Sequence, residues 1–167
     1  MSRRRSSESI TYVDLAEPIS KLNSYLFLTG QKGAANSNFL LRENFGVVIN
    51  VSENLPHPGL TDFGLGHTIN FTRIPLTHKN TIHRINLGAD KINDFIKSKT
   101  RVLVHCRDGV CDSAVICIGY LIKYEKMKTE AAMQFVKGQR SVIRISQHFV
   151  KDLKEFENSC SEVDNLT

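Results

Sequence analysis

Nine consecutive apolar residues, 114–122, follow a short polar loop and a strand-like apolar segment at 102–104. A membrane span needs about 18 apolar residues, so this run is too short to cross a bilayer. Because the run is apolar on every side, it predicts a helix that the rest of the chain covers all round. A strand that leads into such a helix is typical of an α/β domain with a largely parallel sheet.

The rest of the chain continues this alternation of strands and helices. Short apolar runs predict strands at 25–28, 47–51, 72–76 and 102–104. Apolar side chains at helical spacing predict three more helices, on Ile85, Ala89, Ile92 and Ile96, on Ala132, Phe135 and Val136, and on Phe149, Val150, Leu153 and Phe156. The predicted fold is α/β, with a central, mostly parallel, twisted sheet flanked by helices.

The length of 167 residues suits one domain. With 41% hydrophobic and 23% charged residues, the composition excludes a collagen or a low-complexity chain. We place the domain at residues 10–158, between a basic tail at 1–9, predicted to be disordered, and an acidic tail at 159–167. Alternatively, Ser6 or Ser7 in the basic tail could be a phosphorylation site for a basophilic kinase, or the tail could act as a weak nuclear or membrane signal.

Charge and cysteine content limit the classes of partner. Arginines 3–5 supply three of the five net positive charges, so the domain itself carries little excess charge and nucleic-acid binding is not expected. The chain has no Trp and four Tyr, too few for a base-stacking surface. Four cysteines without a C-x-x-C pair or an apolar leader predict free thiols inside the cell, in cytoplasm, nucleus or both. No membrane span, metal or other cofactor is expected.

Residues 105–113, HCRDGVCDS, connect the last predicted strand to the apolar helix. In such a connection the loop amides and the dipole of the following helix converge on one point and favour an anion there. Cys106 stands at the end of the strand, beneath that point. Gly109 allows the loop to curl without a Cβ clash. The residues alone therefore predict an anion site with a thiol below it.

This segment resembles the phosphate-binding loop of the cysteine-dependent protein phosphatases, whose signature is HCxxGx[ST]R[SA]. The chain from residue 19 to about 157 also resembles their small atypical dual-specificity branch, in the segments 19–30, 46–53, 73–76 and 139–157. The resemblance implies the cysteine-phosphatase fold and a nucleophile at Cys106. It also implies that a phosphoryl group would contact the residues that follow, namely Arg107, Asp108, Gly109, Val110, Cys111 and Ser113.

The positions that carry the family's chemistry depart from its pattern. Asp112 stands where the signature has the arginine that clamps phosphoryl oxygens, Cys111 replaces its Ser or Thr, and His78 takes the place of the general acid. The usual Pro-Asn near the C-terminus is Ser146-Gln147. Loss of a general acid removes ~10²–10⁴ in rate. An Arg-to-Asp exchange turns attraction into repulsion, with an upper bound on the order of 10 kcal/mol.

These departures predict a pseudophosphatase with little or no catalytic activity, which acts by binding a protein partner, either a phosphoprotein or the target of an active phosphatase. The retained Cys106 leaves an alternative open: an active protein-tyrosine or dual-specificity phosphatase with a phosphocysteine intermediate, in which Arg107 or another arginine holds the phosphoryl group. A third hypothesis is a redox sensor that uses Cys106 and Cys111.

The surroundings of the loop leave further alternatives. Asp112 and Ser113 could cap the apolar helix, or the Asp112 carboxylate could occupy the anion site in place of phosphate. We expect His105 to brace the loop by hydrogen bonding. Arg140 and Arg144 are likewise expected to support the loop from outside, or to contact substrate.

Overall fold

A computed structural model of the chain describes residues 17–56 and 69–166. Its elements in chain order are β1 (Ser20–Lys21), β2 (Leu26–Thr29), α1 (Gln31–Ala34), α2 (Ser37–Arg42), β3 (Phe45–Asn50), β4 (Asn70–Arg73), α3 (Thr81–Lys97), β5 (Arg101–His105), α4 (Asp112–Tyr124), α5 (Thr129–Gln139) and α6 (Gln147–Asp164). The basic tail at 1–9, with Ser6 and Ser7, lies outside the described residues. In the described ranges no helix is long and apolar enough to span a membrane.

The strands form one sheet in the order β1-β2-β5-β3-β4. β1 pairs antiparallel with β2, and the other described pairings are parallel. β5 lies in the centre, where Leu103 pairs with Phe27 on one side and with Val48 on the other. The predicted α/β fold with a mostly parallel sheet is therefore confirmed.

Helices cover both faces of this sheet. On one face α4 lies in the middle of the main core, buried from Ser113 to Ile122. It packs closely against α3, since a Cβ on Gly119 would lie 2.4 Å from Cγ2 of Ile85. On the other face α1 and α2 contribute Ala34, Phe39 and Leu40 to a second, smaller core. The prediction that the apolar run forms a fully covered helix is confirmed.

The structure differs from the prediction mainly at the ends of elements. β4 covers Asn70–Arg73 and not 72–76, although the chain continues beside β3 through a hydrogen bond from Leu76 N–H to the Val51 carbonyl. α6 continues to Asp164, past the predicted domain end at residue 158. β1, α1 and α2 were not predicted, because such short segments show no clear apolar period.

Candidate functional site

Cys106 follows β5 directly, so it lies at the carboxyl edge of the parallel strands, where ligands of open α/β sheets usually bind. Its side chain is buried. The Gly109 N–H donates to Cys106 Sγ at 3.2 Å, and Sγ lies 3.2 Å from Oγ of Ser113. His105 is buried on β5, with Nδ1 3.3 Å from the Cys106 carbonyl oxygen. We call residues 106–111 the cysteine loop and the surface around it the cleft.

Gly109 gives the cysteine loop its curl. Its φ is +63°, in the left-handed region. A Cβ at this position would lie 2.6 Å from the backbone nitrogen of Gly30 and 2.6 Å from the carbonyl carbon of Thr29. Since both are backbone atoms that cannot move aside cheaply, the position requires glycine, as the sequence predicts.

Arg140 braces the cysteine loop from its outer side. Its buried guanidinium donates from Nε to the Gly109 carbonyl at 2.7 Å and from Nη1 to the Pro18 carbonyl at 2.8 Å. Nη2 forms an ion pair with Glu17 at 3.2 Å. Arg144 contributes through its backbone, whose N–H donates to the Val110 carbonyl at 2.9 Å. The expectation of support is confirmed for the Arg140 side chain, whose guanidinium is fully occupied, whereas Arg144 contributes its backbone and its side chain is exposed.

Arg107 lies on the same outer side. Its side chain is exposed, and its carbonyl accepts a hydrogen bond from Gln31 N–H at 2.8 Å. Arg107 and Asp108 line a cavity of about 320 Å³ together with Glu17, Gln31 and Lys32. Arg107 therefore lies against α1, on the outer side of the cysteine loop.

Asp112 neither caps the helix nor fills the anion site. It is the first residue of α4, while the N-cap is Cys111, whose side chain makes no capping hydrogen bond. The capping hypothesis is therefore wrong. Within residues 17–56 and 69–166 no loop N–H donates to the Asp112 carboxylate, and Gly109 N–H points to the thiol instead. Burial raises the pKa of Asp112, and the nearby His78 and His148 partly oppose that rise.

His78 and His148, which we call the histidine pair, meet at the rim of the cleft. Nδ1 of His78 lies 3.0 Å from Nε2 of His148, and both side chains are exposed. Nδ1 of His148 is 3.0 Å from Ser146 Oγ. The His78 ring stacks on Phe149, with an interplanar angle of 13°. Sequence reasoning missed His148, although the Ser146-Gln147 departure lies immediately before it.

Cys111 is half-buried beside the same group of residues. Burial raises the pKa of its thiol, and hydrogen bonds from Ser146 only partly counter this effect. Burial likewise raises the pKa of Cys117 inside α4. All four cysteines are free thiols, so the structure contains no Cys106–Cys111 disulfide. A protonated Cys111 is a poor partner for thiol chemistry.

The site residues predicted from sequence lie in three places. Cys106, Gly109 and Ser113 meet around the Cys106 sulfur. Asp112, His78 and Cys111 gather at the rim with His148. Arg107 and Asp108 lie on the outer side of the loop, where Val110 accepts a hydrogen bond from Arg144 N–H. Of the described His, Cys, Asp and Glu side chains, no three converge as a ready-made metal-ligand group. The arrangement offers a buried thiol in a loop of amide donors, beneath a rim that carries one carboxylate and two imidazoles.

Comparison with known proteins agrees with this geometry. The family model described as "Dual specificity phosphatase, catalytic domain" matches residues 26–159. The chain is 33% identical over 156 residues to mouse dual specificity protein phosphatase 1, covering 92% of this chain but only 41% of that protein. It is 31% identical to mouse dual specificity protein phosphatase 14, covering 84% of this chain and 69% of that protein. The crystal structure of human tyrosine phosphatase-like serine/threonine/tyrosine-interacting protein has a TM-score of 0.74 at 21% identity, covering 84% of this chain and 96% of that one.

Proposed function

This chain belongs to the dual-specificity phosphatase family, and we propose that within it the chain is a catalytically impaired member that acts by binding protein. The observation that carries the proposal is Asp112. An acidic residue stands at the first position of α4, beside the cysteine loop, where the family signature has its arginine. Such a residue repels the phosphoryl dianion that the loop amides would otherwise attract.

The size of this repulsion follows from Coulomb's law. Two unit charges about 4 Å apart interact by about 4 kcal/mol at an effective dielectric near 20. The two nearby arginines offer no replacement clamp, since Arg140 is committed to Gly109, Pro18 and Glu17, and Arg107 lines the outer cavity. His78 and His148 interact electrostatically with Asp112, so they are also no free replacement for the missing arginine.

One observation favours the alternative of an active phosphatase. The surroundings of Cys106 are those that a nucleophilic thiol needs, with an amide donor from Gly109 and the hydroxyl of Ser113 both 3.2 Å from sulfur. A phosphocysteine could form there if another cation held the phosphoryl group. The proposal of impairment therefore depends on the rim of the cleft and not on the thiol.

The partner we propose is a protein, either a phosphoprotein or a target shared with an active phosphatase. Support for this partner comes from the cysteine loop, which keeps its hydrogen bonds from Arg140 to the Gly109 carbonyl and from Arg144 N–H to the Val110 carbonyl. Four free thiols support action in a reducing compartment, cytoplasm or nucleus.

Hydrolysis of a phosphotyrosine peptide and of a small aryl phosphate tests the proposal, with Cys106→Ser as the blank. We expect the unmodified chain to match the blank. The double variant Asp112→Arg/His78→Asp restores the clamp and the acid, and should hydrolyse both substrates above it. Glu155→Arg makes the same charge change as Asp112→Arg alone, but on the exposed side of α6, and should stay at the blank.

Vanadate binding gives a second, independent readout. We expect saturable binding by the double variant and none by the unmodified chain, because Asp112 opposes the anion. Hydrolysis by the unmodified chain well above the blank, or a trapped phosphocysteine at neutral pH, would establish the active alternative.

A further inference from the structure

Two imidazoles from distant parts of the chain meet at the rim of the cleft, with their rings tilted by 53° to one another. His78 lies in the loop between β4 and α3, and His148 lies in the first turn of α6, 70 positions away. Their facing atoms, Nδ1 of His78 and Nε2 of His148, are 3.0 Å apart and share a hydrogen bond, which a bound metal ion would replace by taking up the lone pairs of both nitrogens. Both side chains are exposed, so an ion from solvent can reach them.

The distance between these nitrogens fits a shared metal ion. Imidazole nitrogens bind zinc at about 2.0–2.1 Å. Two ligands at about that distance lie about 3.0 Å apart at a right angle and about 3.4 Å apart at a tetrahedral angle. The observed separation of 3.0 Å therefore matches the right-angle arrangement. If the two nitrogens moved apart by about 0.4 Å, their separation would match the tetrahedral arrangement.

Neighbouring groups hold both rings in orientations that suit coordination. When His148 Nδ1–H donates to Ser146 Oγ at 3.0 Å, the lone pair is left on Nε2, the atom that faces His78. Hydrogen bonding of the second ring nitrogen is the usual arrangement for a histidine that binds a metal. The Phe149 ring lies nearly parallel to that of His78, at a centroid distance of 5.9 Å.

The carboxylate of Asp112 adds negative charge within electrostatic reach of both imidazoles. Because the described residues do not present three converging ligands, an ion bound here would take two ligands from the histidine pair and the others from water. Imidazole nitrogens suit zinc, copper and nickel among the divalent metals.

We propose that His78 and His148 form a binding site for a divalent transition-metal ion, Zn²⁺ or Ni²⁺, at the rim of the cleft. The proposal goes beyond the proposed function and does not depend on whether Cys106 hydrolyses phosphoesters. The sequence predicted no metal site, because two histidines 70 positions apart give no sign in the sequence that they meet in the fold.

Calorimetric titration of the full chain with Ni²⁺ in a non-chelating buffer tests the proposal. Ni²⁺ is the probe because it favours imidazole over the thiolates that attract zinc. We expect one Ni²⁺ per chain, and at least tenfold weaker binding in His78→Gln and in His148→Gln. The matched control is His83→Gln, an exposed histidine on α3 outside the pair, which should bind as the unmodified chain does.

Several outcomes would overturn the site. Absence of binding, or affinity unchanged in either variant of the pair, would exclude it. Equal weakening by His83→Gln would indicate diffuse surface binding, and loss of binding in Cys111→Ser alone would assign the ion to a thiol.

Circular dichroism of His78→Gln and His148→Gln checks that both retain the fold, as expected for exposed side chains. Visible absorption of the Co²⁺-loaded chain supplies a spectroscopic signature that should change in both variants and persist in His83→Gln.

Discussion

Replacement of Arg140 by methionine removes the brace of the cysteine loop while keeping most of the apolar stem. In the folded chain the Arg140 side chain is 5% exposed and its partner Glu17 is 15% exposed. The substitution leaves the Glu17 carboxylate without its cation. It also removes the donors to the carbonyls of Gly109 and Pro18.

The expected loss is large, because breaking one side of a buried ion pair costs about 3–5 kcal/mol. For a chain of this length 1 kcal/mol corresponds to about 2–4 °C in Tm. Arg140→Met should therefore lower the melting temperature by about 6–20 °C. The substitution should lower the free energy of unfolding in water and leave the slope of that free energy against urea concentration nearly unchanged.

Urea denaturation followed by circular dichroism measures this loss. Arg144→Met is the matched control, since that side chain is exposed and only its backbone supports the loop; a change within about 0.5 kcal/mol is expected there. The double variant Glu17→Gln/Arg140→Met should lose less than the sum of the two single variants, because the unpaired carboxylate is removed. A loss below about 1 kcal/mol for Arg140→Met, or equal losses for the two arginines, would refute the assignment of Arg140 as the brace.

Three further predictions concern the cysteine loop, the rim of the cleft and the contact between α5 and α6. Gly109→Ala should destabilise the chain by about 2 kcal/mol or more in urea denaturation, because the added Cβ meets backbone at a positive φ. Burial raises the pKa of Asp112 above its usual value in the folded state, so ionisation of Asp112 costs stability. Asp112→Asn should therefore unfold at a higher urea concentration than the unmodified chain at pH 7. This gain in stability should shrink as the pH falls through the raised pKa of the folded state towards that of the unfolded state. Glu157 accepts hydrogen bonds from the backbone and hydroxyl of Thr129 at 2.9 and 2.8 Å. Burial raises its pKa, but these bonds and Lys128 outweigh that effect and lower it. Glu157→Gln should cost about 1 kcal/mol at pH 7 by thermal unfolding, and the difference should disappear as the pH falls below the ordinary glutamate value through the lowered one.

The central part of the fold could be predicted from sequence because burial leaves a strong local pattern. The middle of β5 (102–104) and the middle of α4 (114–122) are enclosed on all sides, so these residues are apolar without interruption, and their order along the chain favours the parallel sheet. The position of Cys106 at the end of β5 followed from the same pattern. Short elements such as β1 and α1 gave no such signal.

The rim of the cleft could not be predicted because it depends on contacts between distant segments. His78 and His148 meet only once α6 has packed beside the loop after β4. The setting of Asp112 likewise depends on these two side chains, so sequence reasoning considered a cap and a filled anion site but not the imidazoles. Arg140 was expected to support the loop, whereas its partner Glu17, 123 positions earlier, gave no indication in the sequence.

The residues that shape the cysteine loop are separate from those that would perform chemistry in it. Gly109, Arg140 and the backbone of Arg144 set the curvature, and none of them is among the exchanged positions. Substitutions at the reactive positions can therefore accumulate in evolution with little loss of folding stability, and the loop can keep its conformation even in a member that no longer hydrolyses substrate. Structural likeness to working enzymes accordingly carries no information about rate, and the same independence should let substitutions at the rim change activity while the fold is kept.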